Sequence, residues 1–236
     1  MTGVIISVPL RLCVKLLIDR QATRCALLAV ALFGCLSNAG AGDGKVLFQN
    51  DFEKATVGEL PPGFLAIDGD FKVIETNGNK ALELPGTPAE NFYGVLFGSA
   101  TNSGVSLSAR VYGTGGKRRA PSFGIGLNGA SGYCLRASPA KNTVELYKGD
   151  EMRTNAPLAW KSGTWTMLRL QVRAKGTDSW MIEGKAWEQG TPEPKDWTVA
   201  IEEKSAPSAG RPSLWGTPYS STPIWYDDLL LTEIPQ

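Results

Sequence analysis

The chain reads as an all-β protein, an antiparallel two-sheet sandwich behind an N-terminal export signal. Three observations carry that expectation. Helical periodicity is absent, and apolar and polar residues alternate at a period of two in a dozen short runs. Turns rich in Gly, Pro, Asn and Ser separate those runs. No internal repeat, heptad or low-complexity tract interrupts the pattern.

In chain order the expected strands begin with Val46–Phe52, Phe71–Glu75, Lys80–Leu84, Phe92–Phe97, Val105–Tyr112 and Ser122–Leu127. They continue with Tyr133–Ala137, Thr143–Lys148, Thr164–Ala174, Trp180–Trp187, Pro212–Trp215 and Pro223–Glu233. Asn77-Gly78, Lys148-Gly149-Asp150 and Lys175-Gly176-Thr177-Asp178 are compact reversals that suit antiparallel hairpins. Alternation sorts the faces. Val105, Leu107, Ala109 and Val111 share one side against Ser106, Ser108, Arg110 and Tyr112. Leu168, Leu170 and Val172 oppose Arg169, Gln171 and Arg173 in the same way. Trp180, Ile182 and Ala186 oppose Met181, Glu183, Lys185 and Trp187, and Val144 and Leu146 oppose Thr143, Glu145 and Tyr147. The apolar sides build the core, which leaves Tyr112, Tyr147 and Trp187 among charged residues on a polar sheet face.

The front of the chain indicates export. Arg20 and Arg24 precede an uncharged run, Cys25–Leu36, and Ala39-Gly40-Ala41 follows it. A basic flank, a short apolar core and a small-residue cleavage site are the parts of a secretory signal peptide. The run falls short of the roughly 20 helical residues that a membrane crossing needs. The chain divides into a signal peptide over 1–41 and one domain over 42–236, long enough to bury a core. Leu32-Phe33-Gly34-Cys35 is a loose lipobox, so a lipid anchor on Cys35 is the rival processing route. Phe33 is bulky for that motif, and Ala39-Gly40-Ala41 favours soluble export to the medium, periplasm or cell envelope.

Composition then removes whole classes of function. After the leader only Cys134 remains, so no internal disulfide forms, and its strand context makes it a small buried apolar residue. The chain has no histidine, which excludes Ser-His-Asp and Cys-His catalysis and the usual His-bearing zinc sites. Cleavage takes four bases (Arg11, Lys15, Arg20, Arg24) and one acid (Asp19), shifting the net charge from +1 to −2. That balance offers nothing to nucleic acid or an anionic membrane. Lys117-Arg118-Arg119 is the only basic cluster, and it reads as a solvated loop tip. A monomer is expected.

The C-terminal third carries the most specific pattern. It runs through Thr164–Arg173, Trp180–Trp187, Trp197, Gly210-Arg-Pro-Ser-Leu-Trp-Gly216 and Ile224-Trp-Tyr-Asp-Asp-Leu-Leu-Leu231. This order resembles the secreted laminin-G-like and concanavalin A-like jelly-roll domains of bacteria, over roughly Val46 to Ile234. The resemblance implies a jelly-roll sandwich whose concave sheet face holds carbohydrate. A sugar ring offers C–H groups to aromatic faces and hydroxyls to charged partners, and flat aromatics lose little conformational entropy on binding. The candidate carbohydrate-binding residues are therefore Tyr112, Tyr147, Arg169 and Trp187 on the polar face, with Trp215 and Tyr219 beside the end-strand loops. Tyr226 would border the same groove. The alternative is that these rings cover the sheet and pair with Arg169 or Arg173 through cation–π contacts. Trp160, Trp165, Trp180 and Trp197 are assigned to core or hairpin packing.

The remaining candidates are carboxylates. Asp227 and Asp228 point to opposite faces, so they do not act jointly on one bond. Asp227 shares a side with Leu229 and Leu231, and a core-facing carboxylate needs a partner. That partner is an arginine, a set of hydrogen bonds, or calcium. The resemblance implies one structural Ca2+ tying the first and last strands together, with Asp51, Glu53 and Asp227 as ligands. Laminarinase-type enzymes of this fold carry Glu-x-Asp-x-x-Glu, which Glu183-Gly-Lys-Ala-Trp-Glu188 does not match. Hydrolysis needs two carboxyl groups roughly 5 to 9 Å apart across a cleft. Glu145 and Glu183 are the best pair if their strands face each other. The expected function is glycan binding without cleavage. Glycoside hydrolysis is one alternative, and a cell-envelope protein-interaction domain, marked by a large exposed apolar patch, is the other.

Overall fold

The computed structural model describes residues 44–87, 91–115, 119–218 and 222–235. The leader with Cys35, the basic pair Lys117-Arg118 and the candidate Tyr219 lie outside the described residues.

Two antiparallel sheets form a sandwich. The eight-stranded sheet runs β13 (Val199–Glu203), β12 (Ser179–Glu188), β11 (Trp165–Gly176), β6 (Val105–Gly113), β15 (Ile224–Glu233), β4 (Asn79–Leu84) and β3 (Lys72–Thr76), with β1 (Val46–Asn50) also on β15. The seven-stranded sheet runs β10 (Glu151–Pro157), β9 (Thr143–Lys148), β8 (Tyr133–Ser138), β7 (Ser122–Leu127), β14 (Ser213–Thr217), β5 (Tyr93–Leu96) and β2 (Leu65–Asp68). All twelve expected strands are present, each within about two residues of its expected bounds. Three more, β2, β10 and β13, each occupy the outer edge of a sheet.

Alternation decides the core. Leu107, Ala109, Val111, Leu168, Leu170, Val172 and Ile182 of one sheet meet Phe123, Ile125, Leu127, Leu135, Val144 and Leu146 of the other, all buried. Contact is close enough that a Cβ on Gly184 of β12 would lie 2.4 Å from Leu135 Cδ1 of β8. The β3–β4 hairpin turns on Asn77 and Gly78, whose φ angles of +52° and +74° are those of a tight type I′ reversal.

The last strand departs from simple alternation. Asp228 has φ +50°, and the register of β15 against β6 shifts between Asp227 and Leu230. This is a β-bulge, with one extra residue on the bulged strand. It sits where β4, paired along Ile224–Tyr226, gives way to β1, paired along Leu229–Thr232. The expectation that Asp227 shares the core side with Leu229 and Leu231 is overturned, because the bulge restarts the alternation. Tyr226 and Leu229 face the core, while Asp227 turns outward toward Arg110. Tyr226 itself does not border a groove. It is fully buried, and its hydroxyl donates to the Trp215 carbonyl oxygen at 2.8 Å, tying β15 to β14 of the other sheet.

Candidate functional site

The five described carbohydrate candidates do not share one face. Tyr112, Arg169 and Trp187 lie on the outer face of the eight-stranded sheet, on β6, β11 and β12. Tyr147 and Trp215 lie on the outer face of the seven-stranded sheet, on β9 and β14. Period-two alternation separates inside from outside on each strand, but both sheets have an outside. The single polar face expected from the sequence is therefore two faces.

On the seven-stranded sheet the pairing aligns one outward row across six strands: Gly94, Trp215, Gly124, Arg136, Glu145 and Asn155. Glycines make room in it. In Phe123-Gly124-Ile125-Gly126-Leu127 the apolar side chains enter the core and both glycines face out. A Cβ on Gly94 would lie 2.4 Å from Trp215 Cζ3, and one on Gly126 would lie 2.4 Å from Ser213 Oγ. The indole rests in that space, and its Nε1 donates to Ser213 Oγ at 2.7 Å.

Planar groups continue from there. Phe92 stacks on Trp215 with ring centroids 5.4 Å apart and planes 12° from parallel. The Arg136 guanidinium lies 3.8 Å from the Phe92 centroid and 4.1 Å from that of Tyr147. The result is an unbroken run Trp215–Phe92–Arg136–Tyr147 across the sheet. Glu145 anchors its far end. Its carboxylate accepts from Ser138 Oγ and Tyr147 Oη at 2.9 Å, Thr143 Oγ1 at 3.0 Å and Lys141 Nζ at 3.1 Å. Burial raises the Glu145 pKa, but the bonds from Lys141, Ser138, Tyr147 and Thr143 outweigh it and hold the carboxyl below its ordinary range. Burial, and then the bond to Glu145, push the Tyr147 hydroxyl up, which keeps it a donor. Phe92 and Arg136 were not among the sequence candidates. The available signal was the pair of outward glycines on β7, since glycine within a strand marks close approach by another group.

The eight-stranded face is built differently. Trp225 stacks on Tyr112 at 4.7 Å, Tyr112 meets Trp165 at 5.6 Å, and the Arg110 guanidinium lies 4.4 Å over Trp165. Trp165 thus belongs to this outer cluster and not to the core. Trp225 Nε1 donates to Glu83 at 3.0 Å, and Arg110 pairs with Asp227, so the cluster is tied down by its own partners. Arg169 and Lys185 share Glu193 at 2.9 and 2.8 Å, and Lys185 covers Trp197 at 4.5 Å. A cleft of about 110 Å³ lies beside Arg169, between Ser106, Ser108, Gln171 and Thr232. It is smaller than the roughly 300 Å³ at which ligand pockets begin.

Glu145 and Glu183 are not a catalytic pair. Both are buried, and they project from the outer faces of opposite sheets, with the whole core between them. Two carboxyls so placed cannot flank one glycosidic bond. Glu183 is moreover held by Arg173 at 2.8 and 3.1 Å and by Gln171 at 2.6 Å. Burial raises its pKa, and those two partners more than reverse the effect. A general acid needs the opposite shift.

The calcium ligands expected from the sequence accept hydrogen bonds from other groups. Asp227 Oδ2 pairs with Arg110 at 2.6 Å and accepts from Asn79 at 2.9 Å, while Oδ1 accepts the Asp228 N–H at 2.7 Å. A guanidinium against that carboxylate repels a second cation, so Asp227 does not fit the role. Asp51 accepts the Glu53 N–H at 3.2 Å, and Glu53 accepts the Lys80 N–H at 2.9 Å. Among the described residues, no group of three or more His, Cys, Asp or Glu side chains is arranged to hold a metal ion.

No family model matches the sequence, and comparison with curated proteins finds no match. Solved structures do resemble it. A Bacillus subtilis protein with a galectin-like fold superposes with TM-score 0.56 at 11% identity, covering 80% of this chain and 96% of its own. The carbohydrate-binding module CBM66 from Bacillus subtilis gives TM-score 0.50 at 11% identity, covering 72% of this chain and 96% of that one. A β-1,3-glucanase from Mycobacterium marinum gives TM-score 0.52 at 14% identity, over 80% of this chain and 99% of that one. These likenesses establish a jelly-roll-like β-sandwich fold. Fold alone does not carry function.

Proposed function

We propose that the protein is an exported carbohydrate-binding module whose glycan lies across the outer face of the seven-stranded sheet. The observation that carries this reading is the run Trp215–Phe92–Arg136–Tyr147, whose indole sits over the outward glycines Gly94 and Gly126. Aromatic groups suit the C–H faces of sugars, and the guanidinium and neighbouring hydroxyls suit their oxygens. Neighbouring folds that include carbohydrate-binding modules and a lectin-type recognition domain support the ligand class. The export signal at residues 1–41 supports a place outside the cytoplasm, where such glycans are met. The separation of Glu145 from Glu183 supports binding without cleavage by that pair.

The test is depletion of the purified protein from solution by a panel of insoluble polysaccharides, comparing Trp215→Ala and Trp187→Ala. Selective depletion by one glycan, weakened about tenfold or more in Trp215→Ala and unchanged in Trp187→Ala, is the expected result. Loss of binding in Trp187→Ala alone would move the site to the eight-stranded sheet. No depletion by any glycan would favour a cell-envelope protein-interaction role. Leu65 and Ile67, 54% and 46% exposed on edge strand β2, are the apolar surface to examine in that case.

A further inference from the structure

Arg136 differs from the other arginines on the two sheet faces. Arg110 pairs with Asp227 at 2.6 Å, Arg153 with Glu203 at 2.7 Å, Arg173 with Glu183 at 2.8 Å and Arg169 with Glu193 at 2.9 Å. Arg136 is half-buried, among the described residues no carboxylate pairs with it, and the Cys134 thiol, a weak acceptor, hydrogen-bonds with it. Its cross-strand neighbour Glu145 is the obvious acid. Yet that carboxylate is occupied by Lys141, Ser138, Thr143 and Tyr147. A half-buried guanidinium on a sheet face, with no carboxylate of its own, leaves its outer N–H donors for an anion from outside.

The geometry also states the shape of the missing partner. Guanidinium N–H donors lie in the plane of the group, and the rings of Phe92 and Tyr147 are stacked on Arg136 at 3.8 and 4.1 Å. Because Nε is buried, what the rings leave available is the outer Nη edge, a fork of donors that matches two oxygens of one anionic group. Phe92 lies between Arg136 and Trp215, so the sugar bearing the anion would pack along the outer rim of this run.

We infer that this site takes an acidic glycan, with the anionic substituent of one sugar, a carboxylate or a sulfate ester, held on the edge of Arg136. The inference rests on the carbohydrate-binding reading and narrows it. Neutral glycans would engage the aromatic rings but leave Arg136 without an anion.

Binding of the full protein to polygalacturonate would be compared with binding to its carboxyl-reduced, neutral counterpart, and to dextran sulfate against dextran. Wild type, Arg136→Gln, Arg136→Lys and Trp215→Ala would be measured at low and high salt, with the melting temperature of each variant recorded. The expected result is a preference of about tenfold or more for an acidic polymer over its neutral counterpart. Arg136→Gln should abolish that preference, and Arg136→Lys, which keeps the charge but not the fork, should reduce it. The preference should also weaken with salt. A carboxylate is assigned if polygalacturonate is the polymer favoured, and a sulfate ester if dextran sulfate is. Equal binding to charged and neutral polymers overturns the inference but leaves the glycan reading intact, provided that Trp215→Ala still weakens binding. An undiminished preference in folded Arg136→Gln likewise overturns it. No binding to any of the four polymers, or to the wider panel, overturns both. If Arg136→Gln does not fold, competition in the wild type decides. Free galacturonate or a sulfated galactose should displace the bound polymer, and galactose at the same concentration should not. Equal displacement by galactose refutes the inference.

Discussion

Replacing Asp227 by alanine should destabilise the protein severely, and the structure gives the size of the effect. The Asp227 side chain is 1% exposed and its Arg110 partner 16% exposed, at 2.6 Å, with Asn79 donating at 2.9 Å and the Asp228 N–H at 2.7 Å. Removing one member of a buried pair costs about 3–5 kcal/mol, because the other charge is left desolvated. Asp227→Ala should fall at the low end, about 3 kcal/mol, since Arg110 retains the half-exposed Asp228 at 2.9 Å. For a domain of this size that is a loss of roughly 6–12 °C in melting temperature. Arg110→Met should cost more, because it strands the buried carboxylate and removes the cover from Trp165. The double variant should cost less than the sum of the two, the signature of direct coupling. Urea unfolding followed by tryptophan fluorescence, with an unchanged m-value, measures all three. A cost below about 1 kcal/mol for Asp227→Ala would refute the pairing argument, as that is the range of exposed pairs. The same series tests the cation. Calcium or a chelator should leave the wild-type melting temperature unchanged, and a rise with millimolar calcium would show that a metal partners these acids after all.

Three other outcomes are expected. Gly94→Ala places a Cβ 2.4 Å from the Trp215 ring, so the indole must shift. Glycan retention should fall while stability drops by only about 1–3 kcal/mol, and unchanged retention would separate Trp215 from the site. Glu145 and Glu183 are both held below their ordinary value of 4.5 in the folded state, so their contribution is present above that pH and lost as pH falls through the lowered values. The melting temperature should therefore be flat from neutral down to about pH 5 and fall in stronger acid. Glu145→Gln and Glu183→Gln should each flatten the fall. Burial pushes the Cys134 thiol up to about 12 despite the nearby Arg136, so alkylation there, read by mass spectrometry at pH 8, should appear only after unfolding.

Much of the fold is legible in the sequence because a strand with one face in the core must alternate. Ser122–Leu127 and Thr143–Lys148 fall where the alternation puts them, to the residue. The three strands that alternation does not reveal, Leu65–Asp68, Glu151–Pro157 and Val199–Glu203, are edge strands. All four residues of Leu65–Asp68 are exposed, so no inside is there to imprint a period on the sequence. Asp227 shows the same limit within a strand. A single left-handed residue at Asp228 turns the carboxylate from the core side to the outside, and nothing in Trp-Tyr-Asp-Asp-Leu announces it.

By itself the sequence determined the class of fold, most of the aliphatic core side chains, and the exclusion of histidine chemistry, because these depend on composition and local period. Tertiary structure alone decided which outward residues meet. Tyr112 and Tyr147 carry the same alternation signature and lie on opposite faces of the sandwich. Phe92, Arg136 and Trp215 are far apart in the chain and become neighbours only because β5, β14, β7 and β8 are adjacent in one sheet. Alternation is a property of one strand read along the chain. A binding face is a property of strands read across the sheet, and that order is set by long-range pairing.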